Sequence, residues 1–173
     1  MTEIKKNNIF LTGEIQVGKS TAIKKVMENF KADYGGYQGY SHMEGGDKII
    51  GFKTLTEPEE DYVLAVNNPK KQKFDIRREL FDSVLADALK KSLEESEIII
   101  IDELGNFEEN SEIFKETVRE CLSSEKTVLG VLKKRHGEFV ESIAERDDIY
   151  VFEVDENNRN SIPEKILEIM KAL

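Results

Sequence analysis

The stretch GEIQVGKST, Gly13 to Thr21, has two glycines five positions apart, and Lys19 and Ser20 follow the second glycine. This spacing is G-x-x-x-x-G-K-[S/T], in which glycine lets the backbone approach a bound anion closely. The apolar run Ile9–Leu11 precedes the stretch, and apolar residues recur at helical spacing from Ile23 to Phe30. The pattern therefore predicts a strand, an anion-binding loop and a helix whose positive N-terminal end faces the anion.

The loop predicts that the bound anion is phosphate. Two side chains of the loop have expected roles. Lys19 is expected to reach the β and γ phosphates of a nucleoside triphosphate, in binding and in catalysis, while the Ser20 hydroxyl ligates Mg²⁺. The predicted nucleotide site comprises nine consecutive residues: Gly13, Glu14, Ile15, Gln16, Val17, Gly18, Lys19, Ser20 and Thr21.

The second chemical signal is IIIIDE, Ile98 to Glu103, where an apolar run ends in two carboxylates. A buried parallel strand delivers its carboxyl end to the ligand-binding edge of an α/β sheet. Asp102 is therefore a candidate ligand of Mg²⁺, directly or through water. Glu103 is a candidate to orient and deprotonate the water that attacks the γ phosphate.

Composition narrows the class of protein. The chain has 173 residues with a formal net charge of −10 and no block of five or more basic residues, which argues against a general nucleic-acid or membrane-surface binder. A single cysteine, Cys121, permits no intrachain disulfide and favours a reducing compartment. The polar segment Met1–Asn8 lacks the apolar core of a signal peptide, and no segment is apolar enough to span a bilayer. We expect a cytoplasmic protein.

Strand and helix patterns alternate along the chain and predict an α/β fold with a mostly parallel sheet covered on both faces. Glycines and short strand patterns between Gly35 and Asn67 predict an irregular, partly hairpin insertion after the first helix. Apolar positions from Asp75 to Glu94 predict one long helix. We expect a single domain over residues 1–173, with the insertion or lid at about residues 33–70.

The order of motifs resembles the small P-loop nucleoside-triphosphatase family that includes the human cancer-related nucleoside-triphosphatase and thermophile relatives. The matching elements are GEIQVGKST, Gly51-Phe52, IDELGNFE at Ile101–Glu108, VLGVL at Val128–Leu132 and NNR at Asn157–Arg159. The resemblance implies the three-layer P-loop NTPase fold and slow, Mg²⁺-dependent hydrolysis of several nucleoside triphosphates. It assigns phosphate and metal to the loop, metal to Asp102 and the attacking water to Glu103.

The chain departs from the pattern of that family at three places. Ile15-Gln16 stands where the family usually has Pro-Gly. Asn106 follows the Asp-Glu-Leu-Gly element, where lysine is common, and Ile50 precedes Gly51-Phe52, where arginine is common, with Lys48 nearby.

Two other arginines are candidates for the site. Lys133, Lys134 and Arg135 follow a predicted strand, and Arg135 is a candidate for a built-in arginine finger that stabilises charge in the transition state. Arg159 is a candidate to pack against the nucleobase. Alternatively, Arg135 belongs to a solvated run of charged residues, and Arg159 is an exposed loop arginine.

Three functions remain open from the sequence. The first is Mg²⁺-dependent hydrolysis of a nucleoside triphosphate to diphosphate and phosphate. The second is a small-molecule or nucleotide kinase, with Gly35–Asn67 as acceptor site or lid and Glu103 holding the acceptor hydroxyl. The third is a non-enzymatic, nucleotide-gated binding module for an unknown protein partner. The guanine-selecting N-K-x-D spacing is absent, so ATP and GTP are both candidate nucleotides.

Overall fold

The computed structural model describes residues 3–134 and 137–173. It contains eight strands in one sheet and five α-helices. The strands are β1 (Asn8–Gly13), β2 (Tyr34–Glu44), β3 (Asp47–Thr54), β4 (Asp61–Asn68), β5 (Lys73–Ile76), β6 (Ile98–Leu104), β7 (Thr127–Leu132) and β8 (Ile149–Val154). The helices are α1 (Lys19–Asn29), α2 (Ala86–Glu95), α3 (Glu112–Ser123), α4 (Gly137–Ala144) and α5 (Ile162–Ala172).

The sheet runs in the order β5-β4-β3-β2-β6-β7-β1-β8. Strands β2, β6, β7, β1 and β8 are parallel, whereas β3, β4 and β5 extend the sheet by antiparallel pairing. Neighbouring parallel strands end at the same edge, so the carboxyl ends of β6, β7 and β1 lie side by side. The predicted α/β fold with a mostly parallel sheet is confirmed.

The isoleucines of β6 explain why helices cover both faces of this sheet. Side chains alternate between faces along a strand, and Ile99 and Ile101 pack into one core cluster while Ile98 and Ile100 pack into another. The first cluster is covered by α2, α3 and α4, and the second by α1 and α5. The fold therefore has three layers.

The predicted β-rich insertion is more regular than the sequence suggested. Its first strand, β2, belongs to the parallel sheet and pairs with β6, while β3 and β4 continue the sheet outward. Glycines that resembled strand breakers lie inside β2 because α2 packs directly on it. A Cβ on Gly35 would lie 2.4 Å from Ser92 Oγ, which accepts a 2.7 Å hydrogen bond from Gly36 N.

The predicted helix over Asp75–Glu94 begins later than expected. Residues Lys73–Ile76 form β5 on the edge of the sheet, and α2 begins only after a π-helical turn at Phe81–Leu85. The prediction was wrong at its N-terminal end because pairing with β4, a non-local interaction, holds Ile76 opposite Ala65. The chain therefore reaches β5 before it turns back toward the core.

Candidate active site

The loop between β1 and α1 has a backbone that its two glycines make possible. Gly13 has φ +145°, and a Cβ there would lie 2.4 Å from Val154 O in the neighbouring strand β8. Gly18 has φ +115° immediately before α1, whose first residue is Lys19. The free N–H groups at the start of α1 therefore follow the loop directly, as an anion-binding site requires.

Lys19 lies over its own loop. Its ammonium donates hydrogen bonds to the backbone oxygens of Gly13, at 2.8 Å, and Glu14, at 2.6 Å. Partial burial lowers the pKa of Lys19, while the nearby carboxylates of Glu103 and Asp102 oppose that shift. The ammonium thus interacts electrostatically with the carboxylates near the end of β6.

Asp102 and Ser20 join the end of β6 to the start of α1. The Ser20 hydroxyl donates a 3.2 Å hydrogen bond to Asp102 Oδ1, and Asp102 is 3% exposed. Burial raises the pKa of Asp102 to about 7, although the hydrogen bond from Ser20 opposes the shift. Asp102 Oδ2 is buried and has no hydrogen-bond partner in the described part of the chain. An unpartnered carboxylate oxygen beside a hydroxyl is a donor set that fits Mg²⁺.

Glu103, unlike the buried Asp102, is exposed, because the pairing of β6 with β7 is irregular at this residue. Asp102 pairs with Val131 and Leu104 pairs with Leu132, so Glu103 is an extra residue that bulges from the ladder. Its side chain is exposed, and its backbone oxygen accepts a 3.3 Å hydrogen bond from the buried Tyr37 hydroxyl. Two consecutive carboxylates are thus separated, one buried beside Ser20 and one directed toward the cavity.

A cavity of about 600 Å³ unites these groups. The phosphate loop and the end of β6 form one side, and β2, β3 and the residues after β6 form the other. Its lining includes Gly13, Glu14, Ile15, Gln16, Gly18, Lys19, Ser20, Thr21, Tyr37, Tyr40, Lys48, Ile50, Asp102, Glu103, Asn106, Phe107, Glu108, Lys133 and Lys134. Eight of the nine predicted loop residues therefore line one cavity with Asp102 and Glu103.

The other predicted residues have different positions. Val17 is absent from the cavity lining and packs against the core cluster under α1. Arg159 lies beside the loop, since a Cβ on Gly18 would be 3.7 Å from Arg159 Cδ, but it is exposed and does not line the cavity. Arg135 lies outside the described residues.

Sequence reasoning missed two charged groups in the cavity. Glu108 was noted only as the last residue of the IDELGNFE element, yet it is 2% exposed and its Oε1 accepts a hydrogen bond from Gly105 N. Lys133 was passed over in favour of Arg135, although Lys133 directly follows β7 and lines the cavity. The third carboxylate of IDELGNFE was the available signal for Glu108.

The buried carboxyl of Glu108 makes stability depend on pH. Burial raises its pKa from 4.5 to about 7, so the free energy of unfolding should fall by about 3 kcal/mol through this group as pH rises from 5 to 8. Glu108→Gln removes that dependence, so its free energy of unfolding relative to the parent protein should increase over the same interval. Urea unfolding at both pH values measures the difference. Glu94→Gln, exposed on α2, is the matched control, and equal pH dependence in the parent and Glu108→Gln would contradict the assignment.

The sheet, the glycine loop and the carboxylates at the end of β6 together define the P-loop NTPase class of α/β proteins. Residues 8–167 match the family model described as NTPase. The chain is 35% identical to nucleoside-triphosphatase THEP1 of Thermotoga maritima over 167 residues, covering 94% of this chain and 95% of that protein. It is 34% identical to nucleoside-triphosphatase THEP1 of Methanocaldococcus jannaschii, covering 95% and 97%.

Two solved structures of nucleoside triphosphatases are also similar to this chain. THEP1 from Aquifex aeolicus superposes with a TM-score of 0.77 at 24% identity, covering 95% of this chain and 99% of that one, and supports the fold. A human cancer-related nucleoside triphosphatase has a TM-score of 0.75 at 26% identity, covering 96% and 98%. The chain belongs to this nucleoside-triphosphatase family and is an NTPase.

Proposed function

We propose that this NTPase hydrolyses ATP or GTP to the diphosphate and phosphate in a Mg²⁺-dependent reaction, with Glu103 acting on the attacking water. The observation that carries the proposal is the separation of two consecutive carboxylates. Asp102 is buried against Ser20, whereas the bulge at Glu103 directs the second carboxylate into the cavity. One carboxylate is thereby available to a metal and the other to water.

The phosphate loop binds the nucleotide in this proposal. The free backbone N–H groups of the loop and of the first turn of α1 face the phosphates, and Lys19 exchanges its bonds with two carbonyls for bonds with phosphate oxygens. The Ser20 hydroxyl and the Asp102 carboxylate would hold the Mg²⁺. When bound, Mg²⁺ neutralises charge on the phosphate oxygens. No cluster of three or more His, Cys, Asp or Glu for a metal occurs in residues 3–134 and 137–173.

Glu103 serves as the base. Its exposed carboxylate accepts a hydrogen bond from water, orients the water oxygen toward the γ phosphorus and receives a proton as the new bond forms. The β–γ bridging oxygen leaves with the electron pair of the broken bond. Arg135 is the candidate arginine finger in this proposal, and Lys19 is the second cation. Arg159 is a candidate contact for the nucleobase.

A kinase is the second candidate, and the extent of the cavity favours it. The cavity continues past the loop to Tyr40, Ile50 and Phe107, which leaves room for an acceptor beside the γ phosphate. In this candidate the segment at about residues 33–70 is the acceptor site or lid. Strand β5, which pairs with the last strand of that segment, contacts the residues after β6 through Phe74 and Phe107, whose ring centroids are 5.9 Å apart.

The cellular setting is also proposed. A cytoplasmic location is supported by the lone cysteine, Cys121, which is buried and reduced. None of the described helices is long and apolar enough to cross a membrane. The negative net charge supports a nucleotide as the ligand rather than nucleic acid in general.

Metal removal tests the proposed reaction. Phosphate release from ATP or GTP should fall to background when EDTA removes divalent metal, because Asp102 and Ser20 alone leave the phosphate charge uncompensated. Added Mg²⁺ should restore the formation of nucleoside diphosphate and phosphate in equal amounts. Both products can be followed by phosphorus NMR. Phosphate release that persists in EDTA would contradict the role of the metal. Nucleoside diphosphate that forms only when a hydroxyl acceptor is added would identify a kinase.

A further inference from the structure

Lys133 occupies a particular place in the sheet. It is the first residue after β7, and β7 lies between β6, which carries Asp102 and Glu103, and β1, which leads into the phosphate loop. Its backbone N–H donates a 2.8 Å hydrogen bond to Leu104 O, which fixes the start of its side chain beside the end of β6. The topology thus holds Lys133 between the loop and the two carboxylates.

The stem and the charge of Lys133 have different environments. Its Cδ would lie 3.2 Å from a Cβ on Gly105, so the stem packs on that glycine, and its ammonium lies 5.6 Å from the ring centroid of Phe107. The side chain lines the cavity and makes no ion pair with any described residue. The adjacent Lys134, in contrast, is paired with Glu14 at 3.1 Å and Glu153 at 2.7 Å.

The two cavity cations also affect each other. The positive charge of Lys133 lowers the pKa of Lys19, opposite in sign to the effect of the neighbouring carboxylates. The half-buried ammonium of Lys133 has no ion-pair partner among the described residues, so its charge is available to an anion in the cavity. Bound polyphosphate would supply the missing partner.

We propose that Lys133 is a catalytic cation of the NTPase reaction, stabilising negative charge that develops on the γ phosphoryl group and the leaving oxygen. This role rests on the hydrolysis proposed above. Water oxygen bonds to the γ phosphorus, the bond to the β–γ bridging oxygen breaks with its electron pair on that oxygen, and Glu103 accepts the water proton. Lys133 donates hydrogen bonds and remains protonated throughout.

Lys133 and Lys19 have different roles in the proposed reaction. Lys19 extends from the helix that follows the loop and binds phosphate in the ground state and the transition state alike. Lys133 approaches from the neighbouring strand end, so its contact can strengthen as charge moves toward the leaving oxygen. An interaction stronger in the transition state raises kcat more than it tightens substrate binding.

Lys133→Met tests this assignment because methionine keeps an unbranched stem against Gly105 and removes the charge. The single-turnover rate of ATP hydrolysis with Mg²⁺ should fall about 10²- to 10³-fold, with the Kd for a non-hydrolysable ATP analogue within about threefold of the parent value. Binding of ADP with Mg²⁺ and aluminium fluoride, which imitates the transferring phosphoryl group, should weaken strongly. Lys133→Arg should recover part of the rate. Lys90→Met, exposed on α2 outside the cavity, is the matched control.

Several results would overturn the role of Lys133. One is a parent-like rate and parent-like aluminium fluoride binding in Lys133→Met; another is a loss confined to ground-state affinity. A large loss of kcat in Arg135→Ala with none in Lys133→Met would assign the cation to Arg135 instead. If the parent protein released no phosphate at all, the hydrolysis itself would be rejected, and this role with it.

Discussion

Glu103→Gln is expected to lower phosphate release from ATP by about 10³-fold while leaving ATP binding intact. Glutamine has nearly the same shape as glutamate, so the bulge between Asp102 and Leu104 should persist, but its amide cannot accept a proton from water. The residue is exposed, so the substitution buries no new polar group. Calorimetric titration and single-turnover phosphate release measure the two quantities separately.

Glu94→Gln is the matched control for this experiment, since it makes the same chemical change on the exposed face of α2. Its rate and affinity should equal those of the parent protein. Loss of ATP affinity in Glu103→Gln equal to its loss of rate would indicate that Glu103 acts in binding. A parent-like rate would remove Glu103 from the mechanism.

Lys19→Met is expected to weaken binding of ATP with Mg²⁺ by about 100-fold, because one charge-assisted contact to phosphate is worth roughly 1.5–3 kcal/mol. Among the described residues the ammonium donates to the backbone oxygens of Gly13 and Glu14, and the exposed oxygen of Glu14 can be satisfied by water after its loss. Thermal stability should therefore change little. Titration calorimetry with a non-hydrolysable analogue measures the affinity.

Lys24→Met, on an exposed position of the same helix, controls for a change in overall charge. It should bind the analogue as the parent protein does. Parent-like affinity in Lys19→Met would mean that the phosphates do not bind at the loop. Equal weakening in both variants would indicate only long-range electrostatics.

The parts of the fold that the sequence predicts well depend on local patterns. GEIQVGKST predicted the junction of β1 and α1 because its glycine spacing and the apolar residues around it are local signals. The position of Asp102 at the end of a buried strand followed in the same way from the run of isoleucines. By contrast, β5 depends on pairing with β4, so a helical pattern beginning at Asp75 was misleading.

The candidate site was predicted in part for similar reasons. Residues from the loop and β6 were found because each stands at the end of a recognisable strand. Burial of Glu108 depends on how the chain turns back under Gly105, and the free charge of Lys133 depends on which neighbour pairs with Glu14 and Glu153. Neither fact can be obtained from residue types alone, since adjacent lysines with the same chemistry have different partners.

In the proposed reaction, water activated by Glu103 takes the γ phosphoryl group. Single-turnover hydrolysis of ATP in ¹⁸O-labelled water, with Mg²⁺ present, tests it most directly by mass analysis of both products. We expect one labelled oxygen in each phosphate, none in ADP, and almost no labelled phosphate from Glu103→Gln. Label in ADP, or ADP formed without labelled phosphate, would contradict it.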